Sequence, residues 1–232
     1  MEGGPLSSAE FRELAKSYVL FAHVTTRIEG RPDDDLRVRK GGRVFPYVAA
    51  LDAEGRVTAT LGFGGLSVAG LVELMATGAA YEARRAKRDR TVEERVEQLR
   101  FDLRVRNVTP ADARATMTRL DLDDEVAEEL EMAIDDAEVA AVLAAARTPE
   151  DVLEAGRTFT EMLRAGRIPV EAETTMTFYR YVIEHAARAR DLESFERALR
   201  ALERRVGRDE EGAAFVEDAR KRLEALRGET ER

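Results

Sequence analysis

The stretch Phe45-Pro46-Tyr47-Val48-Ala49-Ala50-Leu51-Asp52-Ala53-Glu54-Gly55-Arg56-Val57-Thr58-Ala59-Thr60-Leu61 carries the clearest fold signal in the chain. The apolar and β-branched run Phe45–Leu51 predicts one strand, and Val57–Leu61 predicts a second strand that pairs back on it. Asp52–Gly55 predicts a tight turn between them, in which Gly55 suits a positive φ. The stretch therefore predicts a β-hairpin.

Three further elements flank the hairpin and make this part of the chain α/β. Upstream, Ser7 or Ser8 is placed to cap a short helix over residues 9–17. The next run, Tyr18–Thr26, is rich in β-branched and aromatic residues and predicts a buried strand. Downstream, apolar residues at helical spacing predict a helix that begins at Ser67.

The composition changes near residue 83. Residues 1–82 hold most of the glycine and the β-branched runs, whereas residues 83–232 are rich in Ala, Leu, Glu and Arg. The later residues place apolar side chains at i, i+4 and i+7, the spacing of helices packed in a bundle or a helical-hairpin array. Helix starts are predicted at Thr109-Pro110 and Thr148-Pro149. We therefore expect an α/β domain over residues 1–82 and an all-α domain over residues 83–232.

Composition and charge exclude several classes of function. The 232 residues contain no cysteine, which excludes disulfides, cysteine-ligated metals and thiol catalysis within this sequence. The 37 Lys and Arg are outnumbered by 46 Asp and Glu, and the net charge of −9 argues against nucleic acid as a partner. The N-terminal stretch lacks an apolar signal region, and no run approaches the length of a membrane span. We expect a soluble, cytoplasmic protein with no membrane contact, and an extracytoplasmic one if a segment precedes Met1.

The order of these elements resembles the second half of a thioredoxin-like domain. In that superfamily the second half runs strand, helix, a strand with a cis-proline, a turn with Asp-x-x-Gly, a strand and a closing helix. Here Phe45-Pro46-Tyr47 and Asp52-Ala53-Glu54-Gly55 stand at matching positions, and Ser7-Ser8-Ala9-Glu10-Phe11 resembles the end of the helix that follows the active site. The resemblance covers about 75 residues, roughly a third of the chain.

Pro46 matches the cis-proline of this superfamily, which presents its backbone to the substrate opposite the active-site cysteines. The resemblance therefore implies that Phe45, Pro46 and Tyr47 face a substrate or a partner. A trans proline at the start of an edge strand is the alternative. On the resemblance, we expect a cis peptide bond between Phe45 and Pro46.

The resemblance is incomplete on its N-terminal side. The superfamily's Cys-x-x-Cys lies at the first turn of the helix that ends near Ser7, and this sequence begins only six residues before Ser7. The strand that lies between the counterparts of Tyr18–Thr26 and Phe45–Leu51 is also missing, which would leave an open edge inside the sheet. The two strands could pair directly, another chain could fill the gap, or Met1 could be an internal methionine. We favour the last explanation.

Other motifs that could carry out chemistry are better explained by structural roles than by catalysis or metal binding. His23 is expected to be a hydrogen-bonded strand residue, and His185 a packing or surface residue on a helix, rather than metal ligands or catalysts. Asp33–Asp35 lacks the ligand spacing of a calcium loop and predicts a solvated loop. Gly62–Gly65 lacks the Lys-Ser/Thr of a phosphate-binding loop and predicts a tight strand-to-helix turn. We expect no metal and no cofactor.

Three functions remain open at this point. The first is a thioredoxin-like protein without a catalytic dithiol in this chain, a redox-inactive or N-terminally truncated relative of thiol–disulfide oxidoreductases. The second is a non-catalytic interaction module, in which the Pro46 face or the helical region binds a protein partner. The third, which we rank lowest, is an enzyme of the glutathione-transferase type. Because the sequence has no thiol, we expect no thiol–disulfide oxidoreductase activity from it.

Overall fold

The computed structural model describes residues 4–23, 34–42, 45–62, 64–146, 148–205 and 210–230. These residues are mostly helical and include one two-stranded antiparallel sheet. The chain divides into two compact units, residues 1–109 and 110–232. In chain order, the elements are α1 (Ala9–Ala15), α2 (Leu36–Arg39), β1 (Ala49–Leu51), β2 (Val57–Thr60), α3 (Val68–Ala86), α4 (Val92–Arg104), α5 (Pro110–Met117), α6 (Asp124–Ala145), α7 (Pro149–Arg164), α8 (Ala172–Ala189), α9 (Leu192–Glu203) and α10 (Glu210–Thr230).

The predicted hairpin is present, with shorter strands than the sequence indicates. β1 begins at Ala49 rather than Phe45, and β2 ends at Thr60 rather than Leu61. The turn is held by Asp52, whose Oδ1 accepts hydrogen bonds from the backbone N–H groups of Glu54 (3.0 Å) and Arg56 (2.8 Å). Gly55 has the expected positive φ of 75°. The local turn chemistry therefore sets the hairpin.

Helix α3 covers one face of this hairpin. Ser67 caps it as predicted, because its side chain accepts a hydrogen bond from the N–H of Gly70 at 3.0 Å. Leu71 and Leu74 of α3 form a small core with Phe11 of α1 and Ala59 of β2. Helix α1 likewise begins after a cap at Ser8, whose side chain accepts from the backbone N–H of Phe11 at 3.0 Å.

The prediction of a buried strand over Tyr18–Thr26 is wrong for the part that the structure describes. Residues 18–23 belong to no strand, and residues 24–26 lie outside the described residues. Tyr18, Leu20 and Phe21 are exposed, and Val19 is 98% exposed. The β-forming composition is real, but a strand also needs a neighbour to satisfy its backbone groups, and no described strand lies beside this segment.

The first compact unit extends beyond the composition change near residue 83. Helix α3 continues past residue 83 to Ala86, and the residues that follow α4 bind to β2. The fastening residue is Asn107, whose Oδ1 accepts from the N–H of Val57 (2.9 Å) and whose Nδ2 donates to the C=O of Val57 (2.7 Å). The first compact unit therefore runs to Thr109.

A polar network surrounds Asn107 and joins α3 to α4. The Tyr81 hydroxyl donates to Asp102 Oδ1 at 2.7 Å, and Asn107 Nδ2 donates to the same oxygen at 3.0 Å. Gln98 Nε2 donates to the other oxygen of Asp102 at 3.0 Å. Burial, together with the hydrogen bond to Asp102, raises the pKa of Tyr81 to about 12. Tyr81 therefore serves as a neutral hydrogen-bond donor.

The second unit is all helical, as the sequence predicts. Each helix from α7 to α10 packs on the next one in the chain, and α6 packs against α7 and α8. Phe159, Phe178 and Phe195, from three successive helices, are fully buried, and the rings of Phe159 and Phe178 lie 5.3 Å apart. Aromatic burial of this kind supplies the largest packing contributions in such a core.

The helix starts predicted by Thr-Pro pairs are confirmed. Helix α5 begins at Pro110, and α7 begins at Pro149. At α7 the Thr148 Oγ1 accepts from the N–H of Asp151 (3.2 Å) while Asp151 Oδ2 accepts from the N–H of Thr148 (2.9 Å). This capping box satisfies two backbone donors that would otherwise lack partners at the helix end.

Two arginines converge on the acidic side of α6. Arg114 of α5 donates to Asp135 and to Glu138 at 2.7 Å each, and Arg167, in the turn after α7, also binds both carboxylates. Asp135 is buried, so its charge requires these partners. The cluster ties α5 and the α7–α8 turn to α6.

None of the described helices is long and apolar enough to cross a membrane.

Candidate functional site

The segment that leads into β1 carries the residues singled out by the sequence. The peptide bond between Phe45 and Pro46 is cis, as expected. Both side chains are exposed, and Phe45 is 69% exposed. An aromatic side chain with this much surface in water is free to contact another molecule.

Tyr47 differs from its two neighbours, because it is half-buried and holds the segment in place. Its hydroxyl donates to the C=O of Lys40 at 2.6 Å. Burial raises the pKa of Tyr47, and the positive charge of Arg104 opposes that shift only in part. Lys40 in turn donates from Nζ to the C=O of Gly55 at 2.5 Å, which links the residues after α2 to the hairpin turn. The structure therefore presents Phe45 and Pro46 outward and uses Tyr47 as an anchor.

The outer edge of β1 is open within the described residues. Val48 C=O accepts from Leu61 N–H (2.9 Å), and Asp52 N–H donates to Arg56 C=O (2.9 Å), so these two residues bond toward β2. Backbone groups alternate in direction along a strand, and those of Ala49 and Leu51 therefore point to the opposite edge.

The other edge of the hairpin is blocked at its first residue. Both backbone groups of Val57 at the start of β2 are taken by Asn107, so they cannot pair with a further strand. The outer edge of β1 is therefore the more accessible edge of the hairpin, and Phe45 and Pro46 lie in the segment that leads into it.

The two histidines of the sequence differ in their surroundings. His185 Nδ1 lies 3.1 Å from Thr160 Oγ1, which itself donates to the C=O of Gly156 (2.8 Å), so the histidine donates and joins α8 to α7. His23 lies in no strand, and its Nδ1 is buried without a hydrogen-bond partner among the described residues. The expectation of a hydrogen-bonded strand histidine is therefore wrong within the described residues.

The two loop motifs also have simple explanations. Asp35 pairs with Arg39 at 2.9 Å, and Asp33 lies outside the described residues. For the turn predicted over Gly62–Gly65, Phe63 lies outside the described residues; Gly65 N–H donates to Gly62 C=O at 3.0 Å, and Gly64 has a φ of 81°. Among the described residues, no group of three or more His, Cys, Asp or Glu side chains is placed to hold a metal ion.

Comparison of the chain with protein-family models, curated proteins and solved structures finds no match to any of them. The geometry of Phe45, Pro46 and the β1 edge is thus the basis for a functional proposal.

Sequence reasoning missed Asn107, which decides which edge of the hairpin is accessible. One signal was present, since Asn107 is the only asparagine in the sequence and stands three residues after the end of α4. Its partner, Val57, lies 50 residues away along the chain. A contact between residues so far apart leaves no periodic trace in the sequence.

Proposed function

We propose that this chain is a redox-inactive, thioredoxin-like binding protein that holds an extended segment of a partner protein against Phe45, Pro46 and the outer edge of β1. The observation that carries the proposal is the exposed Phe45–Pro46 pair just before β1, whose outer backbone groups have no partner among the described residues. The order of Phe45-Pro46-Tyr47, β1, turn, β2 and α3 supports the resemblance, because it matches the last part of a thioredoxin-like domain, from the cis-proline strand to the closing helix.

The chemistry of binding follows from the strand edge. An extended peptide beside β1 would pair with the backbone N–H and C=O groups of Ala49 and Leu51, and such strand addition gives affinity that depends little on sequence. Each backbone hydrogen bond contributes about 0.5–1.5 kcal/mol net. Phe45 and Pro46 would add apolar contact with the partner's side chains, and this contact supplies most of the selectivity.

The absence of cysteine from the sequence separates this proposal from catalysis. A thiolate is the nucleophile of disulfide exchange, and none of the 232 residues supplies one. In the proposal, the face that presents substrate to a dithiol in the superfamily is used for binding alone.

The proposal is tested with a labelled unfolded polypeptide whose thiols are blocked, namely carboxymethylated insulin B chain, by fluorescence anisotropy. We expect a dissociation constant of about 1–100 μM, the range of a short strand addition with one apolar anchor. Phe45→Ser should weaken binding at least about fivefold. Val152→Ser is the matched control, because Val152 is an apolar residue that is 40% exposed on α7 of the second unit.

Two results would overturn the proposal. One is the absence of saturable binding to the unsubstituted protein. The other is a loss of binding in Val152→Ser with none in Phe45→Ser, which would place the interaction on the helical region instead.

A further inference from the structure

Residues 83–109, between the predicted and observed boundaries of the first unit, are unusually basic for this acidic chain. The first unit carries 18 Lys and Arg against 16 Asp and Glu, a net charge of +2, whereas residues 110–232 carry 19 against 30. Within the first unit, the connection between α3 and α4, residues 87–91, carries three Lys and Arg against one Asp. A pocket lies on the same two helices.

This pocket has a volume of about 250 Å³, and α3, α4 and β2 all contribute to its lining. Three arginines line it, Arg84 from α3 and Arg100 and Arg104 from α4, against one acid, Glu97. Arg100 and Glu97 form an ion pair at 2.5 Å. Two positive charges are therefore left on the wall of the pocket.

Those two charges belong to Arg84 and Arg104. Neither guanidinium has an acidic partner within the part of the chain that the structure describes, although the chain as a whole is rich in carboxylates. Arg104 lies with its guanidinium carbon 5.4 Å from the centre of the Phe101 ring, an arrangement that restricts its rotamers. Arg104 is therefore partly ordered before a ligand binds, which lowers the entropy cost of binding.

The remaining walls are apolar or neutral. The rings of Tyr81 and Phe101 lie 5.1 Å apart, and the Tyr81 hydroxyl is already committed to Asp102. Thr58 of β2 is buried and adds a neutral hydroxyl. The pocket thus combines two uncompensated guanidinium groups with an aromatic wall, and it adds no carboxylate beyond the paired Glu97.

We propose that this pocket binds a small phosphate-bearing anion through Arg84 and Arg104. A phosphomonoester carries close to two negative charges at pH 7, which matches the two uncompensated guanidinium groups. Each guanidinium can donate two parallel hydrogen bonds to phosphate oxygens. The volume lies just below the roughly 300 Å³ at which drug-sized sites begin, so it selects a compact ligand. The site does not depend on the function proposed for Phe45 and β1.

The test is calorimetric titration of the full chain with phenyl phosphate, which joins a dianion to one aromatic ring, and with benzoate as the carboxylate counterpart. We expect phenyl phosphate to bind with a dissociation constant of about 0.1–1 mM. Arg84→Gln and Arg104→Gln should each weaken it about tenfold or more, since each removes a charge-assisted, bidentate contact. Benzoate, with one charge, should bind at least about tenfold more weakly than phenyl phosphate.

Arg95→Gln is the matched control, because Arg95 is an exposed arginine that lies on α4, like Arg104, but does not line the pocket. It removes the same charge and should change the affinity by less than about twofold. Arg84→Lys keeps the charge but loses the planar fork, and should give an intermediate affinity.

Three outcomes would overturn the proposal. Phenyl phosphate could fail to bind up to about 20 mM, well above the expected range. Arg95→Gln could weaken binding as much as Arg84→Gln, which would make the effect one of net charge. Benzoate could bind as tightly as phenyl phosphate, which would show that the pocket does not require a phosphate group.

Discussion

Replacement of Asn107 by alanine should loosen β2 from the rest of the first unit. The side-chain amide makes two hydrogen bonds to Val57, at 2.9 Å to its N–H and 2.7 Å to its C=O, and Val57 is fully buried. Each buried backbone group left without a partner costs about 1–3 kcal/mol. Asn107 is half-buried, and water that enters the vacated space recovers part of this cost. We therefore expect a destabilisation of about 2–4 kcal/mol.

The suitable assay is native-state hydrogen exchange followed by mass spectrometry, because a chain of two compact units need not unfold in a single step. Peptides that cover residues 57–61 report on β2 directly. A loss of 2–4 kcal/mol raises their exchange rate by about 30- to 700-fold, since each 1.4 kcal/mol is a factor of ten. Peptides from α8 and α9, in the second unit, serve as the internal reference.

Two further variants separate the effect of the two Asn107–Val57 hydrogen bonds from that of the polar network around Asn107. Gln98→Ala removes one hydrogen bond to Asp102 but none to β2, and should cost less than about 1 kcal/mol. Asn107→Asp keeps an acceptor for the Val57 N–H, loses the donor for the C=O and places a second carboxylate beside Asp102. It should be at least as destabilising as Asn107→Ala at pH 7. The reasoning is refuted if Asn107→Ala accelerates exchange at 57–61 no more than Gln98→Ala does.

Other predictions concern the second unit and the redox behaviour. Burial raises the pKa of Glu138, but hydrogen bonds from Arg114 and Arg167 outweigh it and hold the pKa below the ordinary 4.5. The carboxylate therefore stabilises the fold above pH 4.5, and this contribution is lost as the pH falls through its lower folded pKa. In urea titrations at pH 7, Glu138→Gln should be less stable than the unsubstituted protein by about 1–3 kcal/mol. This difference in the free energy of unfolding should shrink below pH 4.5. A difference that stays constant with pH would contradict this. Gly156→Ala places a Cβ 2.8 Å from a side-chain carbon of α8 and should destabilise the protein by about 1–3 kcal/mol in thermal unfolding. The control Gly228→Ala meets nothing within 4 Å and should be neutral or stabilising. Equal effects of the two substitutions would show that α7 and α8 can separate at no cost. Insulin-disulfide reduction by the purified chain should be absent, and measurable turnover in a preparation free of thioredoxin would contradict this.

Features set by nearby residues were predictable from the sequence. The hairpin turn needs only Asp52 and Gly55, and the starts of α5 and α7 need only a proline and its neighbours. The same holds for the helical character of the second unit, since apolar spacing along a helix is a local signal. The choice of Phe45 and Pro46 as candidate partner-facing residues rests on the resemblance rather than on any such pattern.

Features that join distant residues were not predictable in this way. The run Tyr18–Thr26 has the composition of a buried strand, but composition does not state whether a neighbouring strand exists, and the described part of the run is exposed. The end of the first unit depends on Asn107 reaching Val57, across 50 positions. The positive charge of the pocket between α3 and α4 depends on which of its arginines lack acidic partners. The packing of the helices decides this, and a count of charges along the sequence does not show it.

Hydrogen exchange of the full chain with and without carboxymethylated insulin B chain tests the proposed binding face most directly. A peptide added to β1 covers the backbone N–H groups of Ala49 and Leu51, so we expect slower exchange over residues 45–51 at saturating peptide, and this protection should be lost in Phe45→Ser. Exchange in α7, α8 and α9 should be unchanged. Protection confined to those helices, or no protection at 45–51 under conditions where the peptide binds, would contradict the account.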